Sequence, residues 1–130
     1  MKIFGIGTDI VNIKRMDKSL KKHGKNFKNR IFSSSEIKYC ENKKNPSSFY
    51  AKRFAAKEAF SKALGTGIKG NIIFKNIEIR NNKNGKPSIK LNGYVDHYLK
   101  KQIRNKKYSI HLSLSDDKPW AQATVIISYN

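Results

Sequence analysis

The sequence predicts an α+β fold, a mostly antiparallel sheet packed with helices in one domain per chain over residues 1–130. Two observations carry that expectation. Lys2 to Val11, Tyr108 to Leu114 and Ala121 to Ile127 alternate apolar and polar residues with the period of a strand, and short turn-rich segments, too brief for parallel crossovers, close two hairpins. Between them lie segments with helical periodicity, and helices mixed with mostly antiparallel strands define the α+β class. A chain of 130 residues is long enough for one real core and too short for two well-buried ones.

Taken in order, Lys2 to Val11 is expected to put Phe4, Ile6, Thr8 and Ile10 on one face and Ile3, Gly5, Gly7, Asp9 and Val11 on the other. Ile13 to Ile31 carries apolar residues at Ile13, Met16, Leu20, Phe27 and Ile31 amid a run of lysines, which predicts a basic amphipathic helix or helix pair weakened at Gly24. Ser33 and Glu36 have capping-box spacing, so a second helix begins there and includes Tyr39 and Cys40, the latter read as a packing residue. Asn45, Pro46, Ser47 and Ser48 form a break and a helix cap; the next helix runs to Leu64 and ends at Gly65 and Gly67. Ile72 to Arg80 reads as a strand that Asn81 to Pro87 turns back onto Ser88 to Leu91. Tyr94 to Ile103 fits a short helix, and the last two strands are joined through Ser115, Asp116, Asp117, Lys118 and Pro119.

The formal charge of +19 predicts an anionic partner, whether nucleic acid, an acidic protein or a phosphorylated small molecule. Lysine supplies 23 of the 28 basic residues and arginine only 5, a bias that drift in an AT-rich genome also produces and that a dedicated nucleic-acid surface seldom shows. A single cysteine excludes an internal disulfide and a cysteine-based zinc cluster. The N-terminus does not read as a signal peptide and no run reaches membrane-spanning length, so a cytoplasmic setting is expected.

Chemistry has few residues to draw on. Of nine acids, Asp17, Glu36, Glu41, Glu78, Asp96, Asp116 and Asp117 fall where caps, turns or surface positions are expected. Asp9 sits in a strand beside two glycines that let a ligand or a backbone approach, and Glu58 shares a helical stripe with Ala51, Phe54 and Ala55. Glu58 needs a partner in such a place, either Lys62 four residues on, a metal ion, or both. Two carboxylates with positions left for water and phosphate is a magnesium pattern, too rich in oxygen for zinc. Arg53 and Lys57 are like-charged neighbours on one helix, unfavourable unless an anion lies beside them. His23 and His97 read as incidental, while His111 on a strand is either structural or a ligand contact.

Four segments resemble one family in order and spacing: GIGTDIV at 5–11, RFAAKEAFSKALGTGI at 53–68, NGKP at 84–87 and HLSLSDD at 111–117. The chain is similar, nearly end to end, to the small trimeric group of 4′-phosphopantetheinyl transferases, the holo-acyl-carrier-protein synthases. That resemblance implies magnesium ligated by Asp9 and Glu58, and transfer of phosphopantetheine from coenzyme A to a serine of an apo carrier protein in fatty acid biosynthesis. It implies catalytic roles for Asp9, Glu58, Lys62 and His111, and coenzyme A contacts from Arg53, Lys57, Ser61, Lys62, Gly65, Thr66 and His111. It also implies a homotrimer whose basic first helix, through Arg15, Lys18, Lys21, Lys22 and Lys25, docks an acidic carrier. The competing readings are a small nucleic-acid-binding protein, which leaves Asp9 and Glu58 unexplained, and a magnesium-dependent phosphohydrolase, which shares the metal but transfers to water.

Overall fold

A computed structural model describes residues 1–130. Its chain order is β1 (Lys2–Asn12), α1 (Ile13–Ile31), α2 (Ser34–Glu41), α3 (Pro46–Leu64), a 3-10 turn (Phe74–Asn76), β2 (Ile77–Asn81), β3 (Pro87–Leu91), α4 (Gly93–Gln102), β4 (Tyr108–Asp117) and β5 (Trp120–Tyr129). One three-stranded sheet has the order β1-β5-β4 and a second pairs β2 with β3; every pairing is antiparallel. The α+β class is the observed one. No helix is long and apolar enough to cross a membrane.

The fold is built around α3. Thirteen of its nineteen residues are buried, and alanines at 51, 55, 56, 59 and 63 keep its surface low enough for neighbours to approach on every side. One apolar cluster joins Ala55, Ala56, Ala59, Phe60 and Ala63 to Ile77, Ile79, Val95, Leu99 and the inward residues Ala123, Val125 and Ile127 of β5. A second packs Met16, Leu20, Phe32, Cys40 and Tyr50 at the other end of α3. Cys40 is fully buried and its thiol is pushed up to about 12 by that burial, which makes it a packing residue.

Several elements differ from the sequence expectation. A register shift between Ile3 and Gly5 breaks the alternation of β1, so Ile3 pairs with Ser128 and joins Ile6 and Ile10 on the exposed face, while Phe4 packs against the main core. Residues 72–76 are not a strand: Ile72 bridges back to Lys69, the 3-10 turn follows, and β2 begins only at Ile77. Ser115, Asp116 and Asp117 belong to β4, leaving Lys118 and Pro119 as the turn. Pro46 occupies the first turn of α3, where its missing N–H costs nothing, so Ser47 lies inside the helix and its hydroxyl donates to Asp17 Oδ1 at 2.6 Å. At Gly24 (φ 53°) α1 is kinked into two parts, as the helix-pair reading expected.

Candidate active site

Asp9 and Glu58 are brought together by the contact of β1 with α3. Gly5 and Gly7 make that contact possible: a methyl group built on Gly5 would overlap the carbonyl oxygen of Ala63, and one on Gly7 that of Ala59. Backbone therefore lies on backbone, and Asp9, two residues beyond Gly7 on the same face of the strand, meets the α3 residue next to Ala59. The two carboxylates lie in a cleft lined also by Asn12, Arg15, Met16, Ser19 and Phe27 of the β1–α1 segment and by Phe54 of α3.

The electrostatics of the pair are unbalanced. Partial burial raises the Glu58 carboxyl above its ordinary range, the neighbouring Asp9 charge raises it further, and Lys62 pulls the other way. Lys62 does not pair with Glu58. Its ammonium reaches Asp9 Oδ1 at 3.1 Å and donates to the Thr8 carbonyl at 3.0 Å, so of the partners open to Glu58 in the sequence Lys62 is not the one taken. Glu58 is left beside a like charge with no ion pair of its own. Two carboxylates with no third acidic, histidine or cysteine ligand form an incomplete oxygen shell, suited to a hard divalent cation that keeps water or phosphate oxygens.

The other expected site residues lie elsewhere in the chain. Lys57 is fully buried, with its ammonium 2.8 Å from Glu36 Oε1. Ser61 is likewise buried, its hydroxyl donating back to the Glu58 carbonyl at 2.7 Å as helical serines do. Arg53 donates to Asn81 Oδ1 at 2.6 Å, lies over the Tyr39 ring, and leaves its buried Nε without a partner. It lines a separate pocket with Tyr39, Phe49, Lys52, Asn81, Gly85, Pro87 and Leu114. Gly65 and Thr66 line a third, beside Lys69, Asn71, Tyr94 and Tyr98, with Gly65 in the left-handed conformation (φ 91°) that ends α3.

His111 is the clearest separation. Asp9 is opposite Ala123 on β5, whereas His111 is opposite Ile126, an odd number of positions away and therefore on the other face of the sheet. Its Nε2 lies 3.1 Å from Ser128 Oγ. Within one chain it cannot join the carboxylates.

The model of the 4′-phosphopantetheinyl transferase superfamily matches residues 5–125. The chain belongs to that superfamily. Among similar proteins, the holo-[acyl-carrier-protein] synthase of Pelagibacter ubique is 49% identical over 127 residues, covering 98% of each chain. That of Jannaschia sp. is 44% identical, over 96% of this chain and 84% of its own. Among solved structures, the holo-[acyl-carrier-protein] synthase of Neisseria meningitidis superposes with a TM-score of 0.87 at 40% identity, covering 97% of this chain and 98% of that one. The Helicobacter pylori enzyme, solved in complex with coenzyme A, gives 0.82 at 38% identity over 95% and 99%.

Two acids of this transferase chain have roles that their sequence positions did not reveal. Glu36 caps α2 as expected, with both capping-box bonds present, yet is only 1% exposed and also binds Lys57 and the Ile79 N–H. Glu78, expected at the surface, is buried and accepts from Ser35 and Arg80. A lysine in an alanine-rich helix was the one available signal, since a lysine buried on such a face requires an acid somewhere else in the fold.

Proposed function

We infer that this chain is a holo-[acyl-carrier-protein] synthase, an enzyme of fatty acid biosynthesis. A serine hydroxyl of apo acyl carrier protein attacks the β-phosphate of coenzyme A, phosphopantetheine is transferred, and adenosine 3′,5′-bisphosphate leaves. The observation that carries the reading is the meeting of Asp9 and Glu58 beside Lys62 in a cleft whose wall includes the first turns of α1.

Each residue has a proposed task. Asp9 and Glu58 would hold Mg²⁺, which supplies charge neutralisation at the pyrophosphate of coenzyme A. Glu58, whose carboxyl is held above its usual range, is the acceptor we assign for the serine proton. Lys62 spends two donors on Asp9 and Thr8 and keeps one for the leaving phosphate. Arg53, whose side chain lines its own pocket, suits a nucleotide phosphate there.

Because Arg53 and the Gly65–Thr66 turn line pockets separate from the carboxylate cleft and His111 stands on the other sheet face, the reading joins them across copies in a homotrimer. The uncovered face of the three-stranded sheet supports it, since Ile3, Ile6 and Ile10 are 57%, 65% and 60% exposed and share that face with His111 and Ile126. The acidic carrier docks on α1, where Arg15, Lys18, Lys21, Lys22 and Lys25 are all exposed and Arg15 also borders the carboxylate cleft. A single buried thiol fits the cytoplasm as its setting.

The deciding assay mixes purified protein, coenzyme A, Mg²⁺ and apo carrier protein and reads the carrier by intact mass. Gain of one phosphopantetheinyl group is expected. An unchanged mass with a folded carrier rejects the assignment, and release of phosphate or adenosine bisphosphate without that gain favours a phosphohydrolase.

A further inference from the structure

Lys57 is the one lysine with no exposed surface, and its ammonium is met from two elements, α2 and the 3-10 turn. Glu36 Oε1 lies 2.8 Å from Nζ, and the Phe74 carbonyl accepts from it at 2.9 Å. The same carboxylate accepts the Ser33 N–H at 2.9 Å through Oε1 and the Ile79 N–H at 3.0 Å through Oε2. One ion pair thus ties the first turn of α2, the 3-10 turn and the middle of β2 to the middle of α3. A buried pair is an inefficient source of stability, because desolvation offsets most of its attraction. What it supplies is direction, since its bonds have fixed geometry where apolar contacts would allow sliding.

The direction matters because of what lies next along α3. At about 100° per residue, Lys57 and Ala59 project about 200° apart. The ion pair therefore grips the helix on the flank roughly opposite the one where Ala59 rests on Gly7 with no room for a methyl. Glu58 projects between the two grips. Held on both flanks, α3 cannot roll about its axis, and Glu58 stays beside Asp9 on β1. A misplacement of about 1 Å in a catalytic group costs about a hundredfold in rate, so a small roll would be felt.

We propose that Glu36 and Lys57 are positioning residues for the transfer reaction, locking the roll of α3 so that the Glu58 carboxylate is held against Asp9. They touch no substrate. The inference rests on the transferase reading above, and it assigns Lys57 a task different from the phosphate contact expected from sequence.

The test compares wild type with the double variant Glu36→Gln/Lys57→Met, which removes both charges at similar volume, and with Glu36→Gln and Glu36→Ala. Four quantities are read: thermal unfolding, kcat, KM for coenzyme A, and Mn²⁺ binding by electron paramagnetic resonance without coenzyme A. The folded double variant is expected to lose about tenfold or more in kcat, within the range of misplaced catalytic groups, and to bind Mn²⁺ several-fold more weakly. With metal at saturating concentration, its KM for coenzyme A stays within about twofold, because no direct contact to coenzyme A is lost. Glu36→Gln, which keeps an acceptor for Lys57, retains more kcat than Glu36→Ala. A folded double variant with wild-type kcat and Mn²⁺ affinity overturns the proposal, as does a rise in KM for coenzyme A with kcat unchanged. Should the double variant not fold, equal kcat in Glu36→Gln and Glu36→Ala overturns it and a graded loss upholds it. A wild-type protein that leaves the carrier unmodified defeats the transferase reading instead, and Mn²⁺ binding by the variants then decides the positioning role alone.

Discussion

Glu58 is held in a state that folding by itself does not favour. Partial burial and the Asp9 charge both raise its carboxyl, so the folded protein binds that proton more tightly than the unfolded chain does. The sign follows from linkage: between the unfolded value and the raised folded value the native state carries more protons, so this group's contribution to stability falls as pH rises through that window. In metal-free buffer at pH 8, Glu58→Gln should therefore melt above wild type, and the difference should vanish as pH is lowered into the range where Glu58 is protonated. Calorimetry across pH checks this, and a variant melting below wild type at pH 8 refutes it. The same substitution should lower transfer by about a hundredfold or more, the usual scale for loss of an acid–base group. Higher stability with lost activity is the expected trade at a site built for function.

At the level of elements, the contact of β1 with α3 and the charge of α1 make separate predictions. Gly7 faces the Ala59 carbonyl of α3 with no space for a side chain, while Gly65 has open space around it and is constrained only by its positive φ. Gly7→Ala should thus cost about 3 kcal/mol, the upper end of overpacking, because backbone yields less readily than a side chain. Gly65→Ala should cost about 1 kcal/mol, from backbone conformation alone. Urea unfolding of the two variants compares them directly, and similar losses would contradict the close packing at Gly7. On α1, Lys21 is 78% exposed and its one close acid is Asp17 at 2.9 Å, so most of the helix charge is uncompensated. Reversing Lys21 and Lys22 to glutamate should raise the apparent KM for carrier protein more than that for coenzyme A, by about tenfold in low salt and less in high salt. Equal effects on both substrates would remove α1 as the docking helix.

At the scale of the whole molecule, the uncovered sheet face is the feature on which the proposed trimer rests. Ile3, Ile6 and Ile10 stand on it beside a polar row in which Gln122 donates to Thr8 and Thr124. A charge placed in an apolar interface between copies is strongly unfavourable. Ile6→Glu should therefore shift the proposed trimer toward monomer in light scattering and reduce transfer together with it, because the separate pockets and His111 are then no longer supplied by a neighbour. A monomeric variant with full activity would show that each chain works alone.

Much of this molecule was legible in its sequence. Asp9 stood out as an acid in a strand beside glycines, Glu58 as an acid among alanines, and the capping box at Ser33 and Glu36 is formed as its spacing predicts. Those features are local: they depend on residue type and on spacing within a strand or a helix, which chain chemistry alone dictates. Tertiary structure decided the rest. It buried Lys57 and Ser61, directed Lys62 to Asp9 rather than Glu58, and put His111 on the opposite sheet face by a register that pairing sets. It also moved Ile3 to the exposed face through a one-residue shift that no alternation pattern foretells. For His111 and Ile3 the reason is strand register, and for the charged residues of α3 it is packing. A helix packed on every side has no outward stripe, so whether its charges meet ligand, solvent or a buried acid depends on residues distant in sequence, here Glu36 and Asp9, that only the folded chain brings within reach.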